Sequence, residues 1–289
     1  STLLNHSFLP VAVATFFSLS LLTGCAASYP EAQTKISVGK LTVLPDVLEE
    51  TSGLFCNAST LVSLNDSGNK PELFHLSYEG KVIKTDRMAL DNIDWEAVTA
   101  SSTHWYVADV GNNKGRRESL TIYKVNKNDL NDIVTMTVAY EGNNPSSNMP
   151  YAHDFDSEAM TYANGKLILF SKSWRTGVAK VYEVNESTEP QTLTAFAHIE
   201  GLPGVITGAD YDAARNLYVI VGYKSDPFGN FDTFMAQVDN QFVPINIWPL
   251  PAYKQVEGVC VDDNGNYWFS EEAAGHRKAS LTEVKIIQK

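Results

Sequence analysis

Carboxyl and hydroxyl side chains recur in one short pattern along this chain, each time ahead of a small residue and an aliphatic one. The copies are Ser52-Gly53-Leu54, Glu96-Ala97-Val98, Glu158-Ala159-Met160, Thr207-Gly208-Ala209 and Glu257-Gly258-Val259. A second set follows 13 to 16 residues after each: Asp66, Asp109, Lys172, Tyr223 with Lys224, and Glu271 with Glu272. A fold that gathers both sets makes a ring of carboxylates with two lysines. Oxygen donors without cysteine, and with little histidine, suit a hard cation, Ca²⁺ before Mg²⁺, because Ca²⁺ takes ~6 to 8 oxygens in loose geometry. Glu96, Glu158, Glu257 and Asp109 are the candidate ligands. Asp66, Asp156, Tyr223, Lys224, Glu271 and Arg175 would line the rim around them. The same residues can instead form a salt-bridge network, the carboxylates pairing with Lys172 and Lys224 or bonding to neighbouring strands. Crowded carboxylates without a cation raise each other's pKa, so some compensation is required.

The stretch from Glu141 to Phe155, EGNNPSSNMPYAHDF, brings Tyr151, His153, Asp154 and Asp156 toward the same set, as long functional connections do. His153 and Lys172 are the candidates for acid–base work, with a plain surface role the alternative for the histidine. Arg116-Arg117, Arg175 and His276-Arg277-Lys278 offer cations for an anionic group, or simple solvated charge. The sequence contains no GxSxG elbow, HExxH, P-loop or GxGxxG. Asp262-Asp263-Asn264-Gly265-Asn266 lacks the twelfth-position Glu of a calcium loop and reads as a turn.

The elements that must position these residues come from the repeat. Its small residues lie 44, 62, 49 and 50 apart. Each copy continues into a turn signal, such as Asn164-Gly165 or Asp263-Asn264-Gly265, then a β-rich run such as Leu167 to Phe170. Third strands follow at Leu73–Ser77, Leu120–Val125, Ala179–Val184, Phe234–Val238 and Leu281–Ile286. Fourth strands are expected at Val82–Met88, Ile133–Ala139, Leu193–Ile199 and Phe242–Trp248. Four antiparallel strands repeated about every 50 residues predict an all-β fold, a β-propeller of five four-stranded blades. Its last blade lacks a fourth strand, which Lys35 to Leu44 would supply, closing the ring. The 62-residue interval leaves room for a sixth blade, and a β-sandwich is the competing architecture. In an up-and-down blade the start of the inner strand and the end of the second share one rim, so both residue sets would converge there. Cys56 and Cys260 fall on the inner strands of the first and last blades, turned to opposite faces. They can pair, or remain two buried thiols, since sheets ~10 Å apart are too distant unless they converge near the axis.

The N-terminus reads as an address. Phe8 to Leu22 is an apolar run too short to span a bilayer, followed by Leu22-Thr23-Gly24-Cys25, which resembles the bacterial lipobox. The expected division is a signal peptide over 1–24, a lipidated Cys25 and tether over 25–34, and one propeller domain over 35–289. Cys25 would hold the domain to the outer membrane, facing the periplasm, in an oxidising compartment. With 34 acidic against 22 basic residues, net −12, the field repels phosphate backbones and argues against a nucleic-acid partner. A small ligand or an envelope protein is the expected partner.

Glu50-Thr51-Ser52-Gly53-Leu54, Asn65-Asp66-Ser67-Gly68, Asp94-Trp95-Glu96-Ala97, Asp109-Val110-Gly111-Asn112-Asn113, Val256-Glu257-Gly258-Val259 and Trp268-Phe269-Ser270-Glu271-Glu272 resemble the envelope propellers of the SdiA-regulated (YjiK-like) family. The pattern is similar also to phytase-like esterase propellers, over about residues 35 to 289. The resemblance implies a propeller with calcium in or near its channel; Ser52 and Thr207 depart from an all-Glu ring. Three functions remain open: a lipoprotein binding a divalent cation and a ligand or partner at its rim, a metal-dependent phosphoesterase or esterase, and a metal-free docking scaffold.

Overall fold

The computed structural model describes residues 29–287, so the apolar run and Cys25 lie outside the described residues. The strands form five antiparallel sheets. Blade 1 holds Thr51–Cys56, Leu61–Asn65, Glu72–Leu76 and Val82–Arg87, from the axis outward. Blade 2 holds Trp95–Ala100, His104–Asp109, Leu120–Asn126 and Asp129–Tyr140; blade 3 holds Asp156–Ala163, Lys166–Lys172, Ala179–Val184 and Ala197–Ile199. Blade 4 is Val205–Asp212, Leu217–Ser225, Phe231–Asp239 and Pro244–Pro249. Blade 5 is Val256–Val261, Tyr267–Glu271, Ser280–Ile287 and, at its outer edge, Lys35–Val38 from the other end of the chain. Among the described residues the helical structure is one 3-10 turn, Asp46–Leu48, and no helix is long and apolar enough to cross a membrane.

Five clusters of buried side chains cement the blades, one at each interface. The first- and last-blade cluster contains Leu54, Cys56 and Phe74 against Cys260, Trp268 and Leu281, which makes the ring closed. The strand Lys35–Val38 pairs antiparallel with Val284–Ile287, so segments about 250 residues apart in sequence complete one sheet and the edge of Ser280–Ile287 is covered. Cys56 and Cys260 are bonded, with Cα atoms 5.5 Å apart. They come that close because a glycine stands beside them: a Cβ on Gly258 would lie 2.9 Å from the Leu54 Cβ, so the inner strands nearly touch.

The five-blade expectation holds: the 62-residue interval is filled by the twelve-residue outer strand Asp129–Tyr140 and the long connection after it, and among the described residues no sixth blade forms. One strand assignment changes. The fourth strand of blade 3 is Ala197–Ile199 alone, while Gln191–Leu193 runs parallel to Val138–Tyr140 on the outer edge of blade 2. Leu193 is buried there against the Met136, Val138 and Tyr140 cluster, which outweighs the shorter pairing it leaves in blade 3. Residues 29–34, assigned above to a tether, lie against blade 4: Asn246 Oδ1 accepts from the Gln33 amide at 3.0 Å, and Trp248 Nε1 donates to the Thr34 carbonyl at 2.8 Å.

Candidate functional site

Each inner strand carries one irregularity, always at the repeated residue. In blade 2, Trp95 and Ala97 pair with the consecutive Asp109 and Ala108, so Glu96 has no partner across the ladder. The same skip isolates Ser52, Glu158, Thr207 and Glu257. A β-bulge leaves one residue unpaired and re-aims it. Here it turns five side chains toward the axis, all of them buried.

Just past the bulges Gly53, Ala97, Ala159, Gly208 and Gly258 crowd together, and the void among them is about 10 Å³. A void of that size holds no more than about one water, so the channel is stopped. Above the stop the rim opens into an acidic pit of about 220 Å³ lined by Asp66, Asp94, Glu96, Glu158, Glu257 and Glu272, with Lys172 in its wall. Gly111 is required at its edge, because a Cβ there would lie 2.0 Å from Asp94 Oδ2 and 2.7 Å from Glu96 Oε1.

Six carboxyls face one ammonium in this pit. Burial, then Glu158 and Asp94, holds Glu96 well above the ordinary carboxyl range; burial and Glu158 do the same for Glu257. Burial with Glu272 and Glu50 raises Asp66 to about 8, burial with Glu158 and Glu50 raises Glu272 to about 7, and burial raises Asp94 to about 6. Burial works against the Lys172 ammonium, but Glu158, Tyr223 and Glu257 outweigh it and keep the group well above its usual value. Lys172 Nζ donates to Glu158 Oε1 and, at 3.2 Å, to the Tyr223 hydroxyl, and lies 4.4 Å from the Trp174 ring centre. Glu158 Oε2 and Asn113 Oδ1 are buried without a hydrogen-bond partner among the described residues.

A larger pocket of about 720 Å³ adjoins the pit between blades 3 and 4. Tyr151, Trp174, Tyr223 and Gln255 line both, and Phe231, Leu202 and Pro203 extend the apolar wall. Tyr151 adopts φ of 55°, a left-handed conformation uncommon for such a residue, and sets its ring edge-on to Trp174 at 5.3 Å.

Not every expected residue enters. Asp109 accepts from the Ile93 and Asp94 amides at 3.1 and 3.0 Å and from Arg117 Nη1 at 2.9 Å, so it braces the approach to blade 2 and does not join the other candidate ligands. Glu271 does the same work in blade 5, accepting from the Lys254 amide at 2.7 Å and from Arg277; its neighbour Glu272 faces the pit instead. These pairs also occupy Arg117 and Arg277, two of the cations considered for an anion. Asp156 is fully buried, accepting from the Asn112 and Ser157 amides and Trp174 Nε1, and burial lifts it to about 7. His153 is buried and held at both ring nitrogens: Nδ1 accepts from the Phe155 amide and Nε2 donates to the Asn113 carbonyl, both at 3.0 Å. Arg175 lies outside the pit in a separate hollow with Lys180, and Lys224 lines the larger pocket. Among the described residues no three His, Cys, Asp or Glu side chains are gathered into a group that could hold a metal. Asp94, Asn113 and Gln255 stand outside the repeated positions. Asp94 alone has a sequence signal, two residues before Glu96 in Asp94-Trp95-Glu96.

No family model matches the chain, and no curated protein matches it. Among solved structures it is similar to a luciferin-regenerating enzyme at 11% identity, with a TM-score of 0.47, covering 89% of this chain and 97% of that one.

Proposed function

We propose that this propeller is a binding protein that takes a small organic ligand across the mouth of its channel, polar end in the pit and apolar body in the adjoining pocket. The observation that carries the reading is that the two cavities are neighbours, with Tyr151, Trp174, Tyr223 and Gln255 lining both. Their size suits a small molecule, and an aromatic wall with a few convergent polar groups is what ligand sites share. The test is a fragment screen read by tryptophan fluorescence and thermal shift on the chain and on Trp174→Ala. Hits that lose about tenfold in affinity in the variant support the reading; hits of equal affinity, or none, overturn it.

A divalent cation in the pit is a second reading, favoured by Glu158 Oε2, an oxygen buried without a partner. The all-oxygen donor set fits Ca²⁺ before Mg²⁺. Glu96, Glu158 and Glu257, with Asp94 in the place expected of Asp109, would have to draw together to hold it, since they are not gathered as a ligand group where they stand. The Lys172 pair on Glu158 Oε1 is what such an ion would have to tolerate or displace. Ca²⁺ should raise the melting temperature of the chain and fail to do so in Glu158→Gln; no shift in the native chain removes this reading. A bound cation would also supply Lewis-acid chemistry, so a phosphatase and esterase panel run with Ca²⁺ and Mg²⁺ tests the hydrolase alternative. The apolar run ending at Cys25 supports a lipoprotein on the periplasmic face of the outer membrane. Labelling with a fatty-acid analogue, lost in Cys25→Ala, tests it.

A further inference from the structure

We infer that the ligand of this mouth carries a primary ammonium group, which enters the acidic pit while an apolar or aromatic body lies against Trp174, Tyr223 and Phe231. This deepens the ligand-binding reading and rests on it.

The unmet hydrogen-bonding capacity of the pit belongs to acceptors. Glu158 is 5% exposed, its Oε1 taken by Lys172; its carboxyl also shares a hydrogen bond with the Glu257 carboxyl, but no N–H reaches Oε2, and Asn113 Oδ1 is buried and bare. A buried acceptor without a donor costs about 1–3 kcal/mol, more when charged, so the site favours a ligand that brings N–H groups. A carboxylate or phosphate ligand brings none and holds the pit carboxyls more firmly in their protonated form. Charge points the same way. Lys172 is met by Glu158 Oε1, which leaves Asp94, Glu96, Glu257 and Glu272 to give up protons and compensate a second cation.

The walls already show how they treat an ammonium. Lys172 Nζ lies over the Trp174 ring at 4.4 Å and 5.3 Å from the Tyr223 ring centre, within the range of a cation–π contact. The faces of Tyr151 and Phe231 extend that surface outward, where a ligand body would follow its charged end. A quaternary ammonium would satisfy the rings but not the two bare oxygens, so the inference is specific to an amine that donates.

Calorimetric titration of the full chain with phenethylammonium, phenethyl alcohol, phenethyltrimethylammonium and 3-phenylpropionate tests it. Phenethylammonium should bind about tenfold more tightly than each of the other three. Glu158→Gln should weaken it about tenfold, and more than it weakens the alcohol. Asn113→Ala, whose backbone carbonyl still serves His153, gives the same test without touching the Lys172 pair, with a loss of about threefold or more. Equal or tighter binding of the alcohol, the quaternary amine or the carboxylate overturns the inference and leaves the ligand-binding reading standing. Silence from all four probes also overturns it, whereas the broader reading falls only with the fragment screen on Trp174→Ala.

Discussion

Blades 1 and 4 differ from blades 2, 3 and 5 at a single equivalent position, and the contrast separates what the backbone decides from what the side chain decides. All five inner strands bulge there. In blade 1 the Ser52 hydroxyl donates to the Trp95 carbonyl of blade 2 at 2.9 Å, and in blade 4 the Thr207 hydroxyl donates to the Val256 carbonyl of blade 5. In blades 2, 3 and 5 a glutamate is too long for that clip and its carboxyl lines the pit. The bulge aims a side chain at the axis in every blade; a short hydroxyl stitches the ring, and a long carboxyl makes a site. A ring of five glutamates would have gained charge and lost two stitches.

The largest effect should come from blade 3. Glu158→Ala leaves the Lys172 ammonium, 3% exposed, without its anion, and removing one partner of a buried pair costs about 3–5 kcal/mol. Urea unfolding should show the midpoint falling accordingly, and adding Lys172→Met should recover most of the loss. A cost below about 1 kcal/mol would mean that the pair is screened like a surface one, and the pit would then be far wetter than its burial indicates.

Next in size are the two stitches. Thr207→Val and Ser52→Ala each remove a buried donor and strand a carbonyl of the next blade, a loss of about 1–3 kcal/mol. Thr207→Val should not alter binding of phenethylammonium to the pit, whereas Ser52 also borders it. An affinity change in Thr207→Val, with the fold intact by circular dichroism, would erase the division between stitching and site-lining bulges.

The repeat made the five bulge residues legible, because the same residue classes stood at the same step before a small residue. The side chains that close the site were less so. At the end of the second strand, Asp109 and Glu271 hold the same position as Lys172, yet each finds backbone amides of the connection entering its own inner strand and turns to them. Nothing in residue type distinguishes Glu271 from Glu272; the strand ends between them, and the turn decides which faces the pit. The aromatic pocket collects Tyr151, Trp174 and Leu202 from three connections and Phe231 from the start of a strand, all far apart in sequence, a grouping that periodicity does not encode. Cys56 and Cys260 illustrate the reverse. Their opposed faces follow from strand alternation, but the usual spacing between sheets argues against a bond, and only the glycines beside them bring the inner strands close enough.

The smallest effect expected is also the one that reads the pit's protons directly. Asp94, Glu272 and Asp66 have folded pKa values of about 6, 7 and 8, above those of an unfolded chain at about 4. Between these limits the folded state binds more protons than the unfolded one, so their stabilisation is complete at about pH 4 and is lost as pH rises through 6, 7 and 8. The melting temperature should therefore fall from about pH 5 to pH 9, and Glu272→Gln and Asp66→Asn should each flatten part of that slope. Both groups keep some contact with solvent, which limits the size of the change. Ser52→Ala, in a blade without a bulge carboxyl, should shift the curve downward and leave its slope alone. A cation in the pit makes the ionised forms the favoured ones, so bound phenethylammonium should flatten the slope as well and release protons as it binds, measurable as an enthalpy that depends on the buffer. A slope unchanged in the two carboxyl variants would place the protons elsewhere, and the contrast between the two kinds of blade would then be one of geometry without charge.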